Sequence, residues 1–277
     1  MLDVVAEIQT TPATSGEIDL PSVSLTKIKE DISHSSVSPE KTEEMMSFIA
    51  ELPPKAQRAL EFSINIHKND FRKTGEPYIY HVLEVTKLVK ERFNVDDEEV
   101  LTAALLHDTM EDNPLVANKH RLAQHFGPRA ARMVDGLSKF KFDGIVYDEA
   151  THSHLFTMAL AEPGILLIKL ADRLHNMQTV DGLKPAKRVE NCEETRDFYI
   201  PLAKKLGFDS LVAEYENLIK PYVDLAHKPS YIDKWLDAIH PHVRHRIADL
   251  ITKRESEVVD MQTNALRRSQ PRLSDTL

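Results

Sequence analysis

An all-α fold is predicted by three observations: there are only 8 glycines in 277 residues, long runs repeat their apolar positions at helical spacing, and no segment alternates convincingly as a strand. With 42% hydrophobic residues, the chain is long enough to bury one substantial core. Residues 1–43 are rich in Ser, Thr, Pro and Glu without a sustained apolar period, and read as a disordered N-terminal leader. Pro53-Pro54 then opens a helix running toward His67. The turn-forming Thr74-Gly75-Glu76-Pro77 precedes a helix with His81 near its start and Val82, Val85, Leu88 and Val89 on its apolar side. Asp96 to Glu99 form an acidic first turn for a helix over Val100–Met110. Gly127-Pro128 interrupts the next helical stretch, Phe140–Tyr147 has room for a small hairpin, and Pro163-Gly164 separates a helix near His154–Ala161 from the one carrying Asp172. After Tyr222 the chain continues through Tyr231–Ile239 into a helix from about Val243 to Leu266, then a polar tail with Arg267, Arg268 and Arg272. The expected plan is a leader (1–43), a helical domain (44–222) and a helical C-terminal extension (223–277).

The segment Ala103–Asp112, AALLHDTMED, packs one imidazole and three carboxylates into an apolar run expected to be helical. Such groups are costly to bury without a cation. On a continuous helix, Glu111 lies one turn beyond His107 and Asp112 one turn beyond Asp108, so all four fall on adjoining stripes of one surface. A second apolar run, Ile165–Asn176, has Asp172 set into it and Asn176 at i+4. Two imidazoles and two carboxylates, His81, His107, Asp108 and Asp172, thus come from three separate helices, the way helical folds build metal sites in their cores. Mixed nitrogen and oxygen donors without a thiolate suit octahedral Mn²⁺ or a similar ion better than structural zinc.

Five blocks, FRKTGEPYIYH (71–81), AALLHDTMED (103–112), FGPRAARMVDGLSK (126–139), ILLIKLADRLHNMQT (165–179) and YIPLAKKLG (199–207), carry a resemblance. In order and spacing, from about Lys55 to Tyr222, the chain resembles the HD-domain phosphohydrolases, specifically the alarmone (ppGpp) hydrolase domain of the RelA/SpoT family. The resemblance implies an HD-domain helical bundle and a metal held by His81, His107, Asp108 and Asp172. Glu111 and Asp112 match the acidic pair that marks competent hydrolase domains. Arg72, Lys73 and Thr74 match the loop that holds the base, and Asn176 and Thr179 match residues near the sugar. Two positions depart from the family pattern: Thr74 stands where Ser is usual, keeping the hydroxyl, and Val82 follows the first metal histidine where Pro is usual. The synthetase domain of long members finds no room here, so a hydrolase-only member is expected.

A pyrophosphate ester is strongly anionic, and its hydrolysis requires charge neutralisation, a positioned water and stabilisation of the departing oxygen. A divalent ion serves the first two needs, and Glu111 or Asp112 can accept a proton from the attacking water. The expected reaction is release of pyrophosphate from the 3′ position of ppGpp or pppGpp, leaving GDP or GTP. Two alternatives stay open: the same chemistry on an adenine alarmone, a deoxynucleotide or a cyclic nucleotide, and a non-catalytic alarmone sensor.

The net charge of −9 argues against a general nucleic-acid binder, although the pocket segments carry Lys68, Arg72, Lys73, Lys139, Lys141, Lys169 and Arg173. Of these only Arg72 and Lys73 are selected as ligand-binding. Lys139 and Lys141 read as solvated, and Arg173 as paired with a carboxylate. The single Cys192 reads as an inert thiol in a reducing compartment. No apolar run has the length of a membrane span and the first residues lack the pattern of a secretory signal, so a cytoplasmic enzyme with a small nucleotide partner is expected. The helical extension offers a surface for covering the domain or for a homodimer. Among the remaining histidines, His152, His154, His240, His242 and His245 read as surface residues, and His175 as a packing or hydrogen-bonding residue; Met110 and Met177 read as core filling.

Overall fold

The structure, a computed structural model, describes residues 28–30, 33, 36–142, 145–146, 148–226, 235–237 and 243–251. The fold is all-α. Ser38 accepts a hydrogen bond from the Lys41 amide and starts α1 (Pro39–Ala50), whose first five residues fall in the stretch expected to be a leader. The Pro-Pro step opens α2 (Pro54–His67). The loop from Lys68 to Pro77 leads into α3 (Tyr78–Lys87), which continues as a π-helical turn over Leu88–Arg92 before Asn94, at φ 54°, turns the chain away. Asp97 caps α4 (Glu98–Leu106) by accepting from the amides of Glu99 (3.0 Å) and Val100 (3.2 Å), so the acidic stretch acts as an N-terminal signal.

The expected continuous helix through Met110 breaks at His107-Asp108, and a short α5 (Thr109–Asp112) follows. At the break His107 Nδ1 donates to the Ala104 carbonyl (2.8 Å) and the Thr109 hydroxyl donates to the Leu106 carbonyl (2.7 Å), side-chain bonds onto the last turn of α4. Next come α6 (Lys119–Phe126) and α7 (Pro128–Leu137), separated by Gly127 at φ 91°, a conformation that glycine adopts without strain. The hairpin expected near Phe140–Tyr147 is present as β1 (Lys141–Phe142) and β2 (Ile145–Val146), antiparallel with Lys141 opposite Val146. Then follow α8 (Asp148–Ala161), α9 (Gly164–Gln178), a 3₁₀ turn over Val180–Gly182, α10 (Pro185–Glu194), a π-helical turn over Thr195–Tyr199, α11 (Ile200–Leu206) and α12 (Asp209–Ile219). Pro201, with no N–H to give, removes a helical bond where that π turn passes into α11.

The centre of the core is α4, buried from Val100 to Leu106, with α2, α3, α7 and α9 packed around it. Packing is close where α7, α8 and α9 cross. A Cβ on Gly136 would stand 2.8 Å from both Ile165 Cδ1 and Met158 Cβ. Gly136→Ala is therefore expected to destabilise the fold by about 1–3 kcal/mol, read as a lower midpoint in thermal or urea denaturation.

Beyond α12, residues 235–237 and 243–251 are helical, and Leu236, Val243 and Ile247 are buried with the core. The rest of the helix expected up to Leu266, and most of Tyr231–Ile239, lie outside the described residues, as do His240 and His242. Among the described residues, no helix is long and apolar enough to cross a membrane.

Candidate active site

Three elements meet at one end of α4. The fourth residue of α3 is His81; its neighbours Ile79, Tyr80, Val82 and Leu83 are all buried, which draws the imidazole inside with them. His107-Asp108 occupies the break after α4. On α9, Asp172 and Asn176 are spaced i, i+4 on one face and Thr179 follows just past the helix end, while Leu166, Leu167, Leu170 and Leu174 fill the core. The result brings ligand-type atoms of His81, His107 and Asp108 within 4.8 Å of one another. Asp172 joins from the other side, its Oδ1 standing 3.4 Å from His81 Nε2.

One contact tests whether this group fits a cation. His107 donates from Nδ1 to a backbone carbonyl, so in the neutral ring Nε2 carries a lone pair. That nitrogen is buried without a hydrogen-bond partner, yet it lies 2.8 Å from Asp108 Oδ2. A lone pair and a carboxylate oxygen held that close require a positive charge between or beside them. In the protein alone a proton serves: burial lowers the His107 pKa, but Asp108 and then Asp172 outweigh burial and hold it at about 9. Against the same burial, His107 and His81 keep Asp108 ionised well below the usual carboxylate range. A donor set of two imidazoles and two ionised carboxylates fits a divalent ion.

The supporting shell is hydrogen-bonded. His81 Nδ1 is 2.7 Å from His175 Nδ1, and burial, followed by the proximity of His81, lowers the His175 pKa to about 2, so His175 is neutral. His175 thus has the hydrogen-bonding role expected of it. Asn176 Nδ2 donates to Asp172 Oδ1 (2.6 Å), and Arg72 Nη2 donates to Asn176 Oδ1 and Thr179 Oγ1, both at 2.9 Å. A continuous polar chain therefore runs from the Arg72 loop to the His–Asp cluster.

The acidic pair divides. Glu111 is buried beside Lys139, accepting from its backbone N–H (3.0 Å) with the ammonium 3.5 Å away. The lysine expected to be merely solvated therefore stands at the edge of the site. Asp112 is exposed on one side, with Oδ2 3.6 Å from His67 Nδ1. Burial and then the nearby Asp108 charge raise the Asp112 pKa.

Two clefts flank the cluster and share Asn176, Lys187 and Asn191. One, of about 300 Å³, is walled by Phe71, Arg72, Lys73, Thr74, Tyr78 and Thr179. The other, of about 440 Å³, reaches from Asp172 and Asn176 to Lys139, Lys169, Arg173 and Tyr199. Lys73 and Thr74 are exposed, and Thr74 Oγ1 donates to Glu76 (3.2 Å).

Sequence spacing did not single out Tyr78, whose hydroxyl donates to Asp108 Oδ2, or His67, or Lys169. Lys169 lies 4.0 Å from Asp172 with its ammonium kept charged: burial opposes the charge, but Tyr199 and Asp172 outweigh it. A lysine inside the apolar run 165–171 is the one signal that could have marked it. His152 corrects an expectation: it is buried, with its ring stacked on Phe198 at 4.2 Å. His154 is partly buried and bonds the Asp135 carbonyl, whereas His245 is exposed. Arg173 pairs with Glu194 (2.5 Å) as expected, Met177 is core, Met110 packs partly buried against it, and Cys192 is buried with its thiol pKa raised by that burial.

The site is thus a His–Asp cluster at the junction of three helices in a helical domain. The family model described as HD domain matches residues 59–209, and the chain belongs to that family. It is 37% identical over 174 residues to a GTP pyrophosphokinase of Myxococcus xanthus, covering 60% of this chain and 22% of that protein. It is 34% identical over 201 residues to the guanosine-3′,5′-bis(diphosphate) 3′-pyrophosphohydrolase of Haemophilus influenzae, covering 70% of this chain and 27% of that protein. Among solved structures, a metazoan ortholog of SpoT that hydrolyzes ppGpp aligns at 19% identity and a TM-score of 0.43, over 73% of this chain and 96% of that one. The chain spans about a quarter of the length of the curated relatives it matches.

Proposed function

We propose that this chain is a cytoplasmic, metal-dependent hydrolase that removes the 3′-pyrophosphate of guanosine alarmones, converting ppGpp or pppGpp to GDP or GTP and pyrophosphate. The observation that carries the proposal is the convergence of His81, His107 and Asp108, with ligand-type atoms within 4.8 Å of one another, and of Asp172, 3.4 Å from His81 Nε2. The named activity of the Haemophilus relative supports the substrate. The hydrolase unit spans residues 44–222.

His81, His107, Asp108 and Asp172 would hold the ion, Mn²⁺ being the best match to their donor set. Such an ion supplies charge neutralisation for the phosphates and makes water more acidic. Glu111, backed by Lys139, is the group proposed to take the proton from the attacking water, and Asp112 assists in orienting it. Arg72, Lys73 and Thr74 wall the first cleft and would hold the base. Asn176 and Thr179 stand between that cleft and Asp172, where the sugar would lie. Lys139 and Lys169 line the second cleft, where their charge would offset that of the phosphates.

Arg72 Nη2 donates to both acceptors, which leaves Nε and Nη1 of the guanidinium for a ligand in the first cleft, whereas the single nitrogen of lysine would have to serve all three. Arg72→Lys is expected to raise KM about tenfold with little change in kcat, as for lost ground-state binding. The reading is tested by incubating the purified protein and Mn²⁺ with guanine and adenine alarmones, deoxynucleotides and cyclic nucleotides, with product identification. Pyrophosphate release from ppGpp ahead of the others supports it. Preference for another nucleotide changes the substrate, and binding without release makes the chain a sensor.

A further inference from the structure

We propose that Tyr78 and His67 are positioning residues that hold the two aspartates of the site, Asp108 and Asp112, in their separate orientations; this rests on the metal-centre reading above. Tyr78 is fixed before it touches either acid. Its amide donates to the Asp70 carbonyl (2.9 Å), and Phe71 bridges Pro77 across the base of the loop. Its hydroxyl then donates to Asp108 Oδ2, the same oxygen that stands 2.8 Å from His107 Nε2. One donor on a carboxylate ligand sets which oxygen faces the cluster and at what angle.

His67 supports the other face of the ring. Its side chain is completely buried at the end of α2, and its imidazole packs against Tyr78 with centroids 4.7 Å apart. Nδ1 lies 3.1 Å from Asp70 Oδ2 and 3.6 Å from Asp112 Oδ2, while Nε2 has no partner. An apolar side chain would fill this volume without the desolvation cost of an imidazole, so the Nδ1 donor between two carboxylates is the feature that distinguishes His67 from core filling. Asp108 and Asp112 repel each other. With Tyr78 bonded to the first, and the His67 Nδ1 bonded to Asp70 and presented to the second at 3.6 Å, the inferred ligand and the acid beside it stay in distinct places. The same loop carries Arg72 and Lys73, and Tyr78 itself walls the first cleft, so the proposed base-binding residues and the aspartate contacts come from one stretch of chain.

Tyr78→Phe keeps the ring and removes only the donor. Calorimetric titration with Mn²⁺ alone is expected to show about a tenfold or greater loss of affinity, with the helical circular dichroism of the metal-free protein unchanged. For His67, an Asn places an amide donor at the Nδ1 position, a Gln places it at the Nε2 position, and a Leu provides none. Pyrophosphate release should therefore fall about tenfold in kcat in His67→Leu and His67→Gln with KM within about twofold, and recover in His67→Asn. If His67→Leu does not fold, the Asn and Gln pair carries the same comparison. Unchanged Mn²⁺ affinity in Tyr78→Phe, or equal kcat in the Asn and Gln variants, overturns the proposal. The Mn²⁺ titration uses no nucleotide, so a wild type that binds Mn²⁺ but cleaves no alarmone defeats the functional reading and leaves the Tyr78 comparison decisive.

Discussion

Asp108→Ala is expected to lower pyrophosphate release by at least about a thousandfold, equivalent to about 4 kcal/mol of lost transition-state stabilisation, while the helical circular dichroism stays that of the wild type. The reason lies in how many interactions meet on this one side chain. Asp108 Oδ2 receives the Tyr78 hydroxyl, faces His107 Nε2 at 2.8 Å and stands 3.8 Å from His81 Nε2. Its charge also outweighs the burial that lowers the His107 pKa and holds that pKa at about 9. Removing it deletes an anionic ligand and leaves two imidazoles to hold an ion with Asp172 alone. The fold should survive, because Asp108 sits at a helix break and not in the apolar layer formed by Val100 to Leu106. Loss of activity together with loss of helical signal would show a structural role instead.

Glu111→Gln is expected to produce a comparable loss by a different route. The amide keeps an acceptor for the Lys139 N–H, so the local backbone is retained, but it cannot take a proton. Positioned general bases contribute about 10²–10⁴ in rate, and the loss should fall almost wholly on kcat. Because Glu111 lies outside the inferred ligand set, Mn²⁺ affinity should match that of the wild type. This separates the two variants: Asp108→Ala loses ion and turnover together, and Glu111→Gln loses turnover only. A Glu111→Gln protein that keeps wild-type kcat would transfer the proton-accepting role to Asp112, whose carboxylate is closer to solvent and has a raised pKa from burial and Asp108.

Much of the helical framework was legible because its boundaries rest on local chemistry. Asp97 can cap a helix wherever it occurs, Pro53-Pro54 pre-sets a first turn, and Gly127 alone tolerates φ 91°. The grouping of His81, His107, Asp108 and Asp172 was legible as imidazoles and carboxylates set into apolar runs, where burial leaves few alternatives to a shared cation. The break at His107-Asp108 was not. AALLHDTMED contains no Gly or Pro, and the bonds that His107 and Thr109 make to the Ala104 and Leu106 carbonyls are of a kind that unbroken helices of this chain also carry, so nothing local to the segment marks its end. His152 was misplaced for a similar reason: the ring that covers it, Phe198, comes from a segment 46 positions later in the chain. Tyr78 touches Asp108 across 30 positions, and no spacing rule within one helix finds that pair.

The central claim, that four side chains from three helices hold one divalent ion, is tested most directly by counting the ion. Mn²⁺ titration followed by the electron paramagnetic resonance of free Mn²⁺ should give one tight site per wild-type chain and none in Asp108→Ala. A wild type that binds no Mn²⁺, or an Asp108→Ala protein that binds it as the wild type does, would contradict the account.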